Sequence, residues 1–469
     1  MRNRLKIFAI MSCIMVSLAT GNIYASLQSS TEISNSGSIR TDTNIKYAYR
    51  IADFMVDILS VNLDNQIYAS AWQQALDDLK TASPNREITH VQLRTFWRIP
   101  DVTDQATWNY PELGAYDVIQ QAMCDNYKKW VFGYPTDPTY GLCAAKRIHD
   151  AGFKLEFCLA PGWTGTGTIA DSVPVFDNKN EADYPAFNGE TFLTNYMDNV
   201  LRPTAQFLAS DANFQNGDIF MLTFEMCYPY GDFCWNHNAR WISMIEEVRQ
   251  IFANAGKSGV LLTIDINAFW DDFGLGYDGL QVLINKGLAQ NNPISSTIKG
   301  FTGATYLSHL DFISISHWLK VLTSAQIPAT WTESDIDSLI IPAFSNNLNW
   351  YKAGTGHGMA PGVLGRDIIQ DFWAINQILG KPIITNVGYA NVHTVLTNPL
   401  SYSGVIDNMA QKVAWMAQIR AFGNQSWCAG QDFERYCHDK QAYPTRIDTS
   451  WRKALAEASI IQEISNALS

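Results

Sequence analysis

The chain of 469 residues is 47% hydrophobic and 12% aromatic, and it carries a formal net charge of −12. This composition supplies a large apolar core and excludes an intrinsically disordered chain. The acidic balance argues against nucleic acid and anionic membrane surfaces as partners.

The first 25 residues have the features of a secretory signal peptide. Arg2, Arg4 and Lys6 precede an apolar run, and small residues lead up to Ala25. That run is too short for a comfortable membrane span, and no later stretch approaches about 20 uninterrupted apolar residues. We therefore expect cleavage after Ala25, a periplasmic or extracellular location and no membrane insertion. Cleavage removes three positive and no negative charges, which takes the formal charge from −12 to −15.

Residues 26–44 are rich in Ser, Thr and Asn and predict a flexible lead, followed by a single folded domain over 45–469. In that domain short apolar runs alternate with amphipathic segments. The predicted strands are 54–60, 90–96, 153–160, 218–224, 260–266, 311–316, 382–387 and, around Gly423, 423–427. The clearest predicted helices are 70–80, 190–210, 236–255, 366–379 and 405–421. Eight strand and helix alternations predict an α/β fold, a (β/α)8 TIM barrel.

The chain is longer than the roughly 250 residues of a typical barrel, so the surplus is expected in loops. The Gly-, Pro-, Asn- and Asp-rich stretches 97–140, 161–188 and 267–295 follow strands rather than precede them. Long loops are therefore predicted on the face where such barrels carry their sites.

Aromatic residues follow almost every predicted strand. Singly each is explained by packing, but together they would surround one mouth of the barrel with flat apolar faces, on which sugar rings stack. A polysaccharide or oligosaccharide is therefore the expected ligand. The residues are Trp97, Trp163, Tyr228, Trp270, Trp318, Tyr389 and Trp427, and we add the polar residues Asn267 and His317 at the ends of strands five and six.

Glu225 ends the otherwise apolar fourth strand, where a carboxylate is costly unless it is used or paired. It is a candidate general acid that protonates a departing glycosidic oxygen, or alternatively an acid paired with an Arg of a neighbouring strand. Arg94 and Glu156 also lie within strands. For Glu156 we favour a structural role inside the barrel, whereas for Arg94 both structural and sugar-binding roles stay open.

Seven cysteines remain after the expected cleavage, and in an exported protein their spacing indicates disulfides rather than metal ligands. Cys227 with Cys234 and Cys428 with Cys437 would close short loops, and Cys124 with Cys143 a longer one. Cys158 would be the odd thiol, and scattered free thiols are the alternative. The sequence contains no CxxC pair and no HExxH motif, so we expect no metal site and no cofactor.

The chain resembles retaining TIM-barrel glycoside hydrolases, most closely the bacterial β-mannanase-like family, over roughly residues 50–430. The resemblance lies in Glu225 after strand four, in "LDFISISHW" (310–318) and in "GKPIITNVGYA" (380–390). It implies an acid/base role for Glu225 and matches Trp318 and Tyr389 to the aromatic residues after strands six and seven. The small polar residue that precedes the family's strand-four Glu is replaced here by Phe224.

The nucleophilic Glu of the family falls on Asn386, and a neutral amide cannot form a glycosyl ester. Three interpretations follow. A second carboxylate, Asp265 first and then Asp432 or Glu434, acts as nucleophile or as the base that activates water. Alternatively an acetamido group of the substrate attacks while Asn386 orients it. Lastly, the barrel binds sugar without cleaving it.

Overall fold

In a computed structural model, the described residues are 47–55, 66–99, 143–163, 197–223, 238–267, 305–317, 321–345, 368–397, 399, 404–438 and 450–468. They belong to one compact unit, Lys46–Ser469. The predicted signal peptide and flexible lead lie outside the described residues. Within the described part of the chain, no helix is long and apolar enough to cross a membrane.

Parallel strands form one sheet that closes on itself. In chain order they are β1 (Tyr49–Met55), β2 (His90–Ile99), β3 (Lys154–Trp163), β4 (Ile219–Met221), β5 (Leu261–Thr263), β6 (Asp265–Asn267), β7 (Ile313–Ser316), β8 (Ile383–Val387) and β9 (Cys428–His438). Their spatial order is β5-β4-β3-β2-β1-β9-β8-β7-β6. Only Ile264 separates β5 from β6, so the two form one interrupted strand that closes the ring. The sheet is the predicted eight-position TIM barrel, in which β7, β8 and β9 are the sixth, seventh and eighth strands.

Helices alternate with the strands and cover the outside of the barrel. The α-helices are α1 (Gln66–Ala82), α2 (Ala144–Asp150), α3 (Arg202–Ser210), α4 (Asn238–Asn254), α5 (Ile341–Ser345), α6 (Ile368–Leu379), α7 (Asn408–Gly423) and α8 (Leu455–Leu468). Single π-helical turns, Met197–Leu201 and Ile336–Ile340, precede α3 and α5. Asp407 caps α7, since its carboxylate accepts the backbone N–H groups of Met409 and Ala410 at 3.0 Å.

Two apolar clusters mark the two faces of the sheet. The large one lies between the strands and the helices and contains, for example, Phe157, Ile315 and Val387. The small one, with Ile51, Ile219, Phe312, Ile384 and Ala429, fills the inside of the barrel. Because side chains alternate along a strand, residues two positions beyond the small cluster also face inwards.

Two predicted strands are displaced from their observed positions. The first was predicted at 54–60 but β1 begins at Tyr49, and the eighth was predicted at 423–427 but β9 begins at Cys428, after Gly423 has ended α7. Both strands carry buried acidic residues, Asp53 in β1 and Asp432 in β9. Polar residues that face a barrel interior remove the apolar pattern by which strands are recognised.

The disulfide predictions fail where the structure describes the cysteines. Cys428 and Cys437 lie nine residues apart in the single strand β9, so at about 3.3 Å per residue they are far beyond bridging distance. Cys143 and Cys428 are thiols, so the Cys124–Cys143 bridge is wrong as well. Cys158 is a thiol, as predicted. Cys227 and Cys234 lie outside the described residues.

Candidate functional site

Asp265 lies inside the barrel, fully buried, on the short strand β6. Its two carboxylate oxygens accept hydrogen bonds from the hydroxyl groups of Ser314 and Ser316 on β7, each at 2.6 Å. Ser314 is in register with Ile384 of the inner cluster, which places this group on the inner face. Two short hydroxyl donors fit an ionised carboxylate and hold it in one orientation.

Gln92 joins two further carboxylates inside the barrel. Its Nε2 donates to Glu156 Oε2 at 3.1 Å on the neighbouring strand β3 and to Asp432 Oδ2 at 2.7 Å on β9. The second bond crosses the inner face of β1, where Ile51 is in register with Asp432. Glu156 and Asp432 therefore both lie inside the barrel, held by the same side-chain amide.

Asn386 is the fourth residue of β8 and shares its face with Ile384, so its side chain enters the barrel. Ile383 and Val387 belong to the outer cluster, on the opposite face of the strand. Asn386 is in register with Ser316 on one side and Asp432 on the other. It is fully buried, and neither Nδ2 nor Oδ1 has a hydrogen-bond partner within the described part of the protein.

Outside the barrel, a polar chain links the ends of β7 and β8 to α7. The hydroxyl of Tyr389 donates to Gln418 Oε1 at 3.2 Å, and Gln418 Nε2 contacts His317 Nε2 at 2.9 Å. The amide must donate to the imidazole, so His317 Nε2 is the acceptor. Burial lowers the pKa of His317 to about 3 and raises that of Tyr389 far above its ordinary value. The backbone N–H of His317 also donates to the carbonyl of Asn386 at 3.0 Å.

Three residues predicted to bind sugar do not line the mouth. Tyr389 packs edge-on against Trp415 of α7, and His317 lies between Phe372 and Phe422, both in the layer under the helices. Trp427 precedes β9 instead of following the eighth strand and packs against Phe372 and Phe422. It therefore lies at the amino end of the barrel. The prediction placed it at the mouth because it put the eighth strand before Trp427 instead of after it.

The remaining predicted residues are only partly described. Glu225, Tyr228, Trp270 and Trp318 lie outside the described residues. Arg94 and Trp97 lie within β2, Trp163 is the last residue of β3 and Asn267 the last of β6, and only their backbones are described. Trp97 and Trp163 thus belong to their strands rather than to the corners that follow them.

Sequence reasoning missed Ser314, Ser316 and Gln92. The signal was present in "DFISIS", in which small polar residues alternate with isoleucine. Such alternation indicates a strand whose polar face lies inside the barrel. Among the described residues, no group of three or more His, Cys, Asp or Glu side chains is arranged to hold a metal ion.

Comparison with solved structures shows the same barrel in glycoside hydrolases. The GH113 β-mannanase of Alicyclobacillus acidocaldarius in complex with ManMIm has a TM-score of 0.50 at 13% identity, over 90% of this chain and 97% of that one. A GH113 β-1,4-mannanase complex gives 0.46 at 12%, over 89% and 98%. The endo-1,4-β-mannanase of Rhizomucor miehei gives 0.42 at 12%, over 90% and 94%. These likenesses concern the fold.

No family model matches the sequence. No curated protein matches it at a significant level.

Proposed function

We propose that the protein is an exported glycoside hydrolase of a β-linked polysaccharide or glycan, with Glu225 as general acid/base. The observation that carries the proposal is the polar inner face of the barrel, where Asp265, Asp432 and Asn386 are buried together on the strands that follow strand four. The barrel likeness to a β-mannanase supports the same reaction class. Substrates of this class are neutral polyhydroxyl chains, which an acidic protein does not repel.

Two proton transfers are needed for hydrolysis. The carboxylic acid of Glu225 gives its proton to the glycosidic oxygen as the bond to the anomeric carbon breaks. In the inverting route a second carboxylate removes a proton from the water that attacks the anomeric carbon. In the retaining route it attacks that carbon first and forms a glycosyl ester, which water then cleaves while the Glu225 carboxylate takes the proton of that water, so the second carboxylate is released. Asn386 can do neither. Asp265 is the first candidate, because two serine hydroxyls hold it in a fixed orientation, and Asp432 and Glu434 come next.

Incubation of the purified chain with β-mannan, β-glucan, β-galactan and N-acetylated β-glycans, followed by measurement of new reducing ends, tests the activity. Glu225→Gln should lower the rate by about 10²–10⁴-fold, because it removes the ionisable proton and keeps the shape. Glu333→Gln is the matched control, since Glu333 is exposed and pairs with Lys412 on the outer surface. An unchanged rate in Glu225→Gln removes Glu225 from the mechanism.

The anomeric configuration of the first product, followed by NMR, separates the two routes. Inversion requires about 6.5–9.5 Å between the carboxyl groups and retention about 5–5.5 Å. The second carboxylate is identified with three variants, Asp265→Asn, Asp432→Asn and Glu434→Gln. The residue whose variant loses turnover but keeps the native circular dichroism spectrum is the second carboxylate. Dependence on an acetamido group in the substrate instead identifies substrate-assisted attack.

A second candidate function is sugar binding without cleavage, which the neutral Asn386 favours. In that case calorimetry detects glycan binding while no reducing ends appear. Asn386→Glu then distinguishes a lapsed retaining hydrolase, since gained activity on β-mannan or β-glucan means that only the nucleophile was lost. Export is tested separately, by the amino-terminal sequence of the secreted protein, which should begin at Ser26.

A further inference from the structure

The resemblance to the β-mannanase-like family aligns Asn386 with a catalytic carboxylate, whose chemistry an amide cannot perform. We propose that this amide binds two neighbouring hydroxyl groups of the glycan, so that the position serves recognition rather than bond formation. The inference rests on the proposed function, because it concerns the ligand of the same barrel.

The first support is the state of the amide itself. Asn386 is fully buried, and within the described part of the chain its donor and its acceptor both lack a hydrogen-bond partner. Buried polar groups are nearly always paired, because leaving water without a replacement bond costs free energy. A residue that breaks this rule on both atoms is typical of a functional position, where stability is lost for the sake of a ligand.

The second support is the location. Asn386 is next to last in β8, near the carboxyl end of the strand, which is the end where barrels of this type bind their ligands. Its neighbours in the sheet, Ser316 and Asp432, are polar, whereas Ile384 below it belongs to the inner apolar cluster. Asn386 therefore has a polar residue beside it on each of the two neighbouring strands.

The chemistry of the amide selects the ligand class. An amide presents N–H donors and a carbonyl acceptor side by side, and each sugar hydroxyl is both donor and acceptor, so two neighbouring hydroxyls satisfy both amide atoms together. An anionic ligand would use only the N–H donors and would lie beside the carboxylate of Asp432. A cationic ligand would use only the carbonyl. A neutral polyhydroxyl ligand is the class that satisfies both atoms.

Two substitutions on adjacent residues test the proposal. Asn386→Leu replaces the amide by an apolar group of similar shape. Thr385→Val is the matched control, because Thr385 is also fully buried with an unpartnered Oγ1 among the described residues, but it faces the helix layer. Removal of an unpaired buried polar group should stabilise the fold in both variants.

The melting temperatures of the full chain and both variants are measured alone and with β-linked manno-, gluco- and galacto-oligosaccharides. Both variants should melt about 1–3 °C higher than the wild type without ligand. The oligosaccharide that stabilises the wild type should stabilise Thr385→Val equally. The affinity of the same oligosaccharide for Asn386→Leu should be at least about tenfold lower than for the wild type, in line with the loss of two hydrogen bonds.

Two results would overturn the proposal and leave the proposed function standing. One result is that the Asn386→Leu variant binds the oligosaccharide with the affinity of the wild type, which shows that the amide does not contact the ligand. The other result is that Asn386→Leu melts at a lower temperature than the wild type, or fails to fold, while Thr385→Val melts at a higher one. This result shows that the amide is a structural group. If no oligosaccharide stabilises the wild type and none is cleaved, the proposed function itself is wrong.

Discussion

Gln418 donates its side-chain amide to Nε2 of His317 over 2.9 Å, and so connects the middle of helix α7 to the residue that follows β7. The orientation of the amide is set from its other side by Tyr389, whose hydroxyl donates to Gln418 Oε1. His317 is thus held neutral in a layer of aromatic rings, directly behind the strand positions of Ser316 and Asn386.

The first prediction is that stability falls as the pH drops below about 6.5. Burial lowers the pKa of His317 to about 3 and that of His90 to about 4. Between these values and 6.5 the unfolded chain binds protons that the folded chain does not, so the free energy of unfolding decreases as the pH falls. Each histidine contributes up to about 1.4 kcal/mol per pH unit.

Urea unfolding at several pH values between 7.5 and 4.5 measures this slope. This slope is proportional to the number of protons taken up on unfolding, and His317→Phe should lower that number by about one. The reason is that a phenyl ring fits the aromatic layer and does not titrate. Trp427→Phe, in the same aromatic layer, changes packing without a titratable group and should leave the slope unaltered. An identical slope in wild type and His317→Phe contradicts the prediction.

The second prediction concerns the serines that hold Asp265. Ser316→Ala removes one donor from a fully buried carboxylate and should lower the free energy of unfolding by about 1–3 kcal/mol. Ser308→Ala is the control, since this exposed hydroxyl donates to the carbonyl of Thr305 in its own turn, and its effect should stay within about 0.5 kcal/mol. Equal effects would show that the buried bond adds nothing to stability.

The third prediction is that Gly430 tolerates no side chain. A Cβ atom at this position would lie 1.8 Å from the backbone oxygen of Tyr49 on β1, which cannot move without breaking the sheet. Gly430→Ala should therefore cost about 3 kcal/mol or more, or prevent folding. At Gly423 the added atom meets the ring of Tyr47 at 3.1 Å, so Gly423→Ala should cost clearly less. Thermal melting of both variants checks the order.

The fourth prediction concerns Cys428, which is buried at the start of β9. Burial raises the pKa of its thiol to about 12, so little thiolate is available for reaction at neutral pH. Iodoacetamide should label Cys428 in urea but not in the native protein, as read by peptide mass spectrometry. A disulfide-linked peptide that joins Cys428 to Cys437 would refute the continuous strand β9.

The barrel was predictable from the sequence because most strands and helices carry their own periodicity. Helix α4 was predicted at 236–255 and runs over Asn238–Asn254, and β8 was predicted at 382–387 and runs over Ile383–Val387. β9 was misplaced because Asp432 and its neighbours face a polar interior. Because of that error, Trp427 was predicted at the mouth, whereas it lies at the opposite end of the barrel.

The sequence by itself determined the eight-position barrel and the inward face of Asn386, because both depend on local patterns of apolar residues and on the alternation of side chains. Only the tertiary structure decided which polar residues meet. Gln92 and Asp432 are 340 positions apart yet form one hydrogen bond, and Tyr389 and His317 lie behind the strands rather than at the mouth. Such contacts depend on closure of the ring and on the direction of each side chain, neither of which a local pattern contains.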